Sequence, residues 1–113
     1  MMMEHYEYYK IIEYEEFKKI IKERIETHKK LYNFYKELSE NSNEATKKYA
    51  QEKMKEILEL IAYDKFLLKE AELVKDEVIF LLDGTGAPGM IRTGKTLKKQ
   101  IEEKIKENKK MYI

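Results

Sequence analysis

The sequence predicts an all-α protein: a long antiparallel helical hairpin plus a shorter C-terminal helix, completed into a bundle by oligomerisation. Apolar residues recur at alternating spacings of four and three over two long stretches, which is typical of packed helices. All four glycines and the single proline lie within residues 84–94, so the rest of the chain lacks the strongest helix breakers. The length of 113 residues fits one domain, residues 1–113.

The first helix is expected from about Tyr14 to Leu38, and its start lies as early as Glu4 if the N-terminal segment is helical. The segment before Tyr14 is rich in tyrosine and isoleucine, which favour strands, so helix and strand both stay open there. The seam of this helix comprises Phe17, Ile21, Arg24, His28, Leu31, Tyr35 and Leu38.

The second helix is expected from about residue 44 to residue 82, after a polar break at residues 39–43. Ser42 or Asn43 is suited to cap its first turn. Apolar residues surround the middle of this helix, and one partner helix is too little to bury them. We therefore predict an interface between copies of the chain there, formed by Ile57, Ile61, Phe66 and Leu68.

A Gly/Pro loop is expected at residues 83–94, followed by a third helix at about residues 95–108. Gly84 suits the left-handed position that ends a helix, and Pro88 prevents helix continuation. Thr93 or Thr96 is expected to cap the third helix, whose narrow apolar stripe comprises Leu97, Ile101 and Ile105.

Residues 89–96 match the phosphate-binding pattern G-x-x-x-x-G-K-[ST]. We interpret the match as accidental, because a P-loop needs a buried parallel strand just before it and a second strand after it. Val78–Leu82 continues the helical spacing, and few residues follow Thr96. A passive anion site formed by Arg92, Gly94, Lys95 and Thr96 at the start of the third helix remains the alternative.

The run Leu-Asp-Gly-Thr-Gly-Ala-Pro-Gly-Met-Ile-Arg at residues 82–92 precedes an amphipathic helix. It resembles the G-x-G-x-P-G turn of small coiled-coil proteins encoded by phages and prophages. The resemblance covers about a tenth of the chain and implies a viral or mobile-element origin. It carries over no functional residue.

Composition argues against several classes of protein. The chain has no cysteine, its net charge is +1, and it contains no apolar run long enough to cross a membrane, so a cytoplasmic location is expected. The N-terminal tyrosines alternate with glutamates, which disfavours nucleic acid as a partner. His28 lacks neighbouring metal ligands in the sequence and is expected to be a packed residue, so we predict no catalytic residue, metal or cofactor.

The function expected from these features is non-enzymatic protein–protein interaction or assembly. The expected partner is a second copy of the chain, and another protein stays open as a further partner. The alternative is a small binding protein for a phosphate-bearing ligand, using the loop at residues 84–96 and the N-terminus of the third helix. A third hypothesis is weak nucleic-acid contact through the basic C-terminal tail.

Overall fold

The fold is mainly helical and includes a small antiparallel sheet. The computed structural model describes the backbone of residues 9–111 and the side chains of residues 9–107. In chain order the elements are β1 (Lys10–Ile12), α1 (Tyr14–Glu40), α2 (Glu44–Val74), β2 (Val78–Leu82), β3 (Pro88–Arg92) and α3 (Lys95–Met111).

The chain divides into two compact units. The first, here called the hairpin unit, is Lys18–Glu70 and contains most of α1 and α2. The second, the sheet unit, comprises the described parts of Met1–Phe17 and Ala71–Ile113. It holds the sheet, α3, the first turn of α1 and the last turn of α2.

The hairpin unit consists of α1 and α2 packed antiparallel. Asn43 caps α2, because its Oδ1 accepts a hydrogen bond of 2.9 Å from the Thr46 backbone N–H and so satisfies a free donor of the first turn. The aromatic rings of Tyr35 and Tyr49 lie 6.2 Å apart near the turn, and Arg24 contacts Asp64 further along. The buried residues recur at helical spacing along the facing seams: Ile21, Ile25 and Ser39 on α1, and Ala50, Ile57, Ile61 and Asp64 on α2.

The sheet unit is built around β2, the central strand of the order β1-β2-β3. Both neighbours pair with it antiparallel, with Ile12 opposite Phe80 and Phe80 opposite Met90. Phe80 is buried, and its ring lies 4.7 Å from that of Phe17 and 5.5 Å from that of Tyr14. These aromatic contacts pack one face of the sheet on the first turn of α1.

The turn between β2 and β3 spans residues 83–87. Asp83 and Ala87 are hydrogen-bonded to each other, so residues 84–86 form a three-residue hairpin loop. The Gly86 N–H donates to the Asp83 carbonyl, and the Asp83 N–H donates to the Ala87 carbonyl. Gly86 has a φ of 85°, the left-handed conformation that closes such loops. The Asp83 carboxylate also accepts hydrogen bonds from the backbone N–H groups of Thr85 and Ala87 and from the Thr85 hydroxyl.

The link between β3 and α3 is two residues long. The backbone N–H groups of Thr93 and Gly94 both donate to the Glu77 carbonyl, at 2.9 and 3.0 Å. Gly94 has a φ of 79°, and its carbonyl accepts the first helical hydrogen bond from Lys98. Gly94 is therefore the residue that caps α3, a position in which glycine is favoured.

The prediction of three helices is confirmed, but the all-α class needs correction. Helix α2 ends at Val74, and Val78–Leu82 is a strand rather than the end of that helix. Residues 83–94 are not one loop, since they contain β3. Gly84 neither ends a helix nor adopts a left-handed conformation. The glycines with left-handed backbone conformations are Gly86 and Gly94. The sequence left helix and strand open for the segment before Tyr14. Residues 1–8 of it lie outside the described residues, and Lys10–Ile12 is the strand β1.

Candidate interaction face

A buried polar cluster joins the two helices of the hairpin unit. The Asp64 side chain is 3% exposed and accepts hydrogen bonds from Arg24 Nε at 3.1 Å and Arg24 Nη2 at 2.5 Å. His28 Nδ1 lies 3.3 Å from Asp64 Oδ2, but in a geometry that does not form a hydrogen bond. Because Arg24 neutralises the buried carboxylate and donates hydrogen bonds to both of its oxygens, the cluster fixes the register of the two helices. It contains no nucleophile with a matching base.

A second apolar stripe runs along α1 beside the buried seam. Leu31 is 41% exposed and Phe34 is 58% exposed, although both are large and apolar. They belong to a row with spacings of four and three residues: Ile20, Arg24, Thr27, Leu31, Phe34 and Leu38. At about 100° per residue, this row lies roughly a quarter turn from the buried seam.

Helix α2 carries an equivalent second stripe. Tyr49, Leu60 and Tyr63 are 50%, 48% and 58% exposed. They belong to a row with the same spacing: Tyr49, Lys53, Glu56, Leu60, Tyr63 and Leu67. This row also lies roughly a quarter turn from the buried seam of its helix, in the same rotational sense when each helix is viewed from its N-terminus.

The two stripes lie on one side of the hairpin unit. When two antiparallel helices face each other, equal rotations from their facing seams point to the same side of the layer. The aromatic contacts agree with this placement, because Phe34 packs on Tyr35 at 5.3 Å and Tyr35 packs on Tyr49 across the hairpin. The combined surface is here called the apolar face: the six-residue row of α1 and the six-residue row of α2.

The four residues predicted to form an interface lie in different environments. Ile57 and Ile61 are buried at 4% and 8% exposure in the seam between the helices, and Leu68 is partly buried. Phe66 is 61% exposed, on the side of α2 away from the apolar face, where lysines such as Lys65 and Lys69 accompany it. Sequence reasoning therefore did not single out the residues of the apolar face as a surface. Dividing the apolar residues of each helix into two parallel rows, one for the seam and one beside it, would have predicted the apolar face.

The four residues predicted to bind an anion follow one another around the start of α3. Arg92 ends β3, Gly94 caps the helix, and Lys95 and Thr96 are exposed in its first turn. The Glu77 carbonyl already uses the backbone N–H groups of Thr93 and Gly94. Fewer donors are thus free at this helix start than the sequence suggests.

The P-loop pattern is divided among three structural elements. Gly89 lies within β3, paired with Leu81, and Thr96 lies within α3. A phosphate cradle requires successive backbone N–H groups of one loop to converge on the anion. Residues 89–96 form instead a strand, a two-residue link and a helical turn.

The sheet unit contains a shallow groove of about 380 Å³ between β1, β2 and α3. Its lining is largely apolar and includes Ile11, Ile79, Phe80 and Ile105. Lys98 lies at its edge, where its Nζ donates a hydrogen bond to the Lys75 carbonyl and lies 3.9 Å from a Glu102 carboxylate oxygen. Lys98 is therefore engaged in contacts that hold α3 beside β2.

Two further searches of the described residues give negative findings. Between residues 9 and 107, no three His, Asp or Glu side chains are arranged to hold a metal ion. Among the described helices, none has the length and apolar character needed to cross a membrane.

Comparison with known proteins yields no match among family models, curated proteins or solved structures. The resemblance of the turn at residues 82–92 to phage and prophage proteins stays a prediction.

Proposed function

We propose that this protein is a non-enzymatic assembly module, whose copies associate with one another through the apolar face of the hairpin unit. The observation that carries the proposal is the exposure of large apolar side chains in two parallel rows on one side of the hairpin. Contiguous apolar patches of more than a few hundred Å² on a folded protein mark interaction surfaces, because leaving them in water is unfavourable.

The distribution of charge supports the same proposal. On the opposite side of α1, the exposed positions are polar or charged: Lys22, Glu26, Lys29, Asn33 and Lys36. Glu26 and Lys29 form an exposed ion pair with a distance of 3.3 Å. One side of α1 is thus polar and suited to solvent, whereas the side that carries Leu31 and Phe34 is apolar and suited to contact with protein.

Sedimentation velocity over a range of micromolar concentrations tests the proposal with two matched variants. Phe34→Glu places a charge on the apolar face, and Asn33→Glu places the same charge one residue away on the solvent side. Both positions are exposed, so neither substitution disturbs the hairpin core. We expect the wild-type chain and Asn33→Glu to sediment as an assembly and Phe34→Glu to sediment as a monomer. A wild-type chain that remains monomeric at high micromolar concentration contradicts the proposal.

The alternative, a phosphate-ligand site at residues 84–96, has weaker support. In the loop between β2 and β3 the amide donors are directed to the Asp83 carboxylate, which repels anions. It stays a prediction with its own test, given in the Discussion.

A further inference from the structure

We infer that the occupant of the apolar face is the same face of a second copy, so that two hairpin units form a four-helix bundle. The inference rests on the proposed function. It specifies which surface of the second copy covers the apolar face and how many copies assemble. A layer of helices that carries apolar rows on one side needs a second layer to cover them, and two-layer packing is the usual solution.

The residues of the two rows of the apolar face lie at matching heights along the two helix axes. The contacts of Arg24 with Asp64 and of Tyr35 with Tyr49 fix the heights of the two helices. Counted from the Arg24–Asp64 contact at 1.5 Å per residue, Ile20 falls within about one residue of the height of Leu67, Thr27 of Leu60, and Leu38 of Tyr49. The same alignment places Arg24 beside Tyr63, Leu31 beside Glu56, and Phe34 beside Lys53. Each level thus carries at least one large apolar side chain, and the two end levels are apolar on both helices.

The charged side chains and the threonine hydroxyl of the apolar face already have partners within the same chain. Arg24 is paired with buried Asp64, and Lys53 Nζ lies 3.3 Å from Glu56 Oε2. The Thr27 hydroxyl donates a hydrogen bond of 3.0 Å to the Glu23 carbonyl. Burial of a polar group is costly mainly when it loses its hydrogen bonds, so these residues can be covered by a second copy at modest cost.

The area is sufficient for a stable pair. With side chains of typical size, the exposed parts of the apolar rows amount to on the order of 600 Å² per copy, so a face-to-face pair buries roughly 1,200 Å². That value lies at the lower end of the range for specific interfaces. A single added helix would cover the groove between the rows but not their outer edges, whereas a second two-helix layer covers both rows.

Cross-linking of single cysteine variants tests the arrangement, since the native chain has no cysteine. Packed helix layers lie about 10 Å apart, so Leu31→Cys, near the middle of the face, is within reach of its own copy for a short bismaleimide. Asn33→Cys, on the solvent side, is the matched control. We expect covalent dimers with Leu31→Cys and not with Asn33→Cys, and a native mass of two copies by light scattering.

The possible failures are distinguishable. A monomeric wild-type mass overturns the proposed function together with this inference. An assembly of three or more copies overturns the four-helix pair and leaves the assembly function intact. A two-copy mass with equal cross-linking at both positions places the interface elsewhere and also overturns the inference.

Discussion

At the scale of single residues, the buried cluster of the hairpin unit has an asymmetry that can be measured. The Asp64 side chain is 3% exposed, whereas that of Arg24 is 33% exposed. When its partner is removed, Arg24 can turn to water, but Asp64 cannot. The cluster therefore tolerates loss of the acid better than loss of the base.

We predict that Arg24→Met lowers the free energy of unfolding by about 3 kcal/mol, because it leaves a buried carboxylate without its main partner. Asp64→Leu is expected to cost less, roughly 1 kcal/mol, and the double variant is expected to recover most of the loss. Urea denaturation at a fixed protein concentration measures all three, since assembly makes stability depend on concentration. A larger loss for Asp64→Leu than for Arg24→Met would contradict the asymmetry.

Asp83 gives a prediction about pH. The hydrogen bond from the Thr85 hydroxyl, followed by those from the backbone N–H groups of Ala87 and Thr85, lowers the pKa of Asp83 below its ordinary value of 3.8. Because the folded pKa lies below the unfolded one, the stabilisation is present above the unfolded pKa and is lost as pH falls through the folded value. The turn should therefore weaken only below about pH 4.

Substitution of Asp83 by Asn tests this linkage. We expect Asp83→Asn to lower the melting temperature at neutral pH and to reduce its dependence on pH in the acid range, since the amide does not titrate. Asp76→Asn, at an exposed position before β2, is the matched control and should leave the acid dependence unchanged. Identical acid profiles for the wild type and Asp83→Asn would show that the turn does not depend on the charge.

At the scale of elements, the sequence predicted the helices well and the segment at residues 78–82 poorly. On α2, the buried residues Ala50, Ile57, Ile61, Asp64 and Ala71 recur at the helical spacing of three and four residues or multiples of it. Val78 and Leu82 continue that spacing, but their segment is rich in β-branched and aromatic residues and precedes a glycine turn. Of its partners, β3 follows after a short glycine turn, but β1 lies near the other end of the chain, and helical spacing carries no information about such pairing. The strand propensity of the segment and its pairing therefore outweighed the helical spacing.

The apolar face shows a second limit of sequence reasoning. A strict alternation of four and three residues placed Leu31 on the same seam as Ile21, whereas Ile21 is buried and Leu31 is 41% exposed. A straight helix drifts relative to a strict heptad, so one long row passes from the buried seam to the apolar face. Ile61, which the sequence predicted as an interface residue, is buried between the two helices, so Ile61→Asp would destabilise the hairpin core rather than test the assembly.

Two glycines give a prediction about the links between elements. Gly86 and Gly94 have left-handed backbone conformations, and nothing lies within 4 Å of a Cβ added at either position. Their replacement by alanine should therefore cost about 1–2 kcal/mol through backbone strain alone. Gly89→Ala is the control, because its added Cβ meets Leu81 Cδ1 at an ordinary 3.6 Å and no left-handed conformation is needed. Thermal unfolding that ranks Gly89→Ala as the most damaging of the three would contradict this account.

At the scale of the whole molecule, the two units differ in how they bury their apolar surface. The sheet unit has a central strand whose first three residues, Val78, Ile79 and Phe80, are buried. The hairpin unit buries only one seam per helix and leaves a second row on each helix exposed. Two helices form a single layer, and a single layer cannot enclose a core. The uncovered surface is therefore a property of the architecture and not of one residue.

The response of the chain to phosphate and nucleotides distinguishes the assembly function from a nucleotide-dependent one. Gly89 is held in a strand opposite Leu81, and the Thr93 and Gly94 N–H groups are directed to the Glu77 carbonyl. A phosphate would have to compete for these donors with bonds that hold the fold together. We therefore expect the melting temperature to be indifferent to millimolar phosphate, sulfate, ATP and GTP, and Lys95→Ala to change neither stability nor hydrolysis. Saturable stabilisation by one of these anions that disappears in the Arg92→Ala/Lys95→Ala variant would instead establish a ligand site at the start of α3.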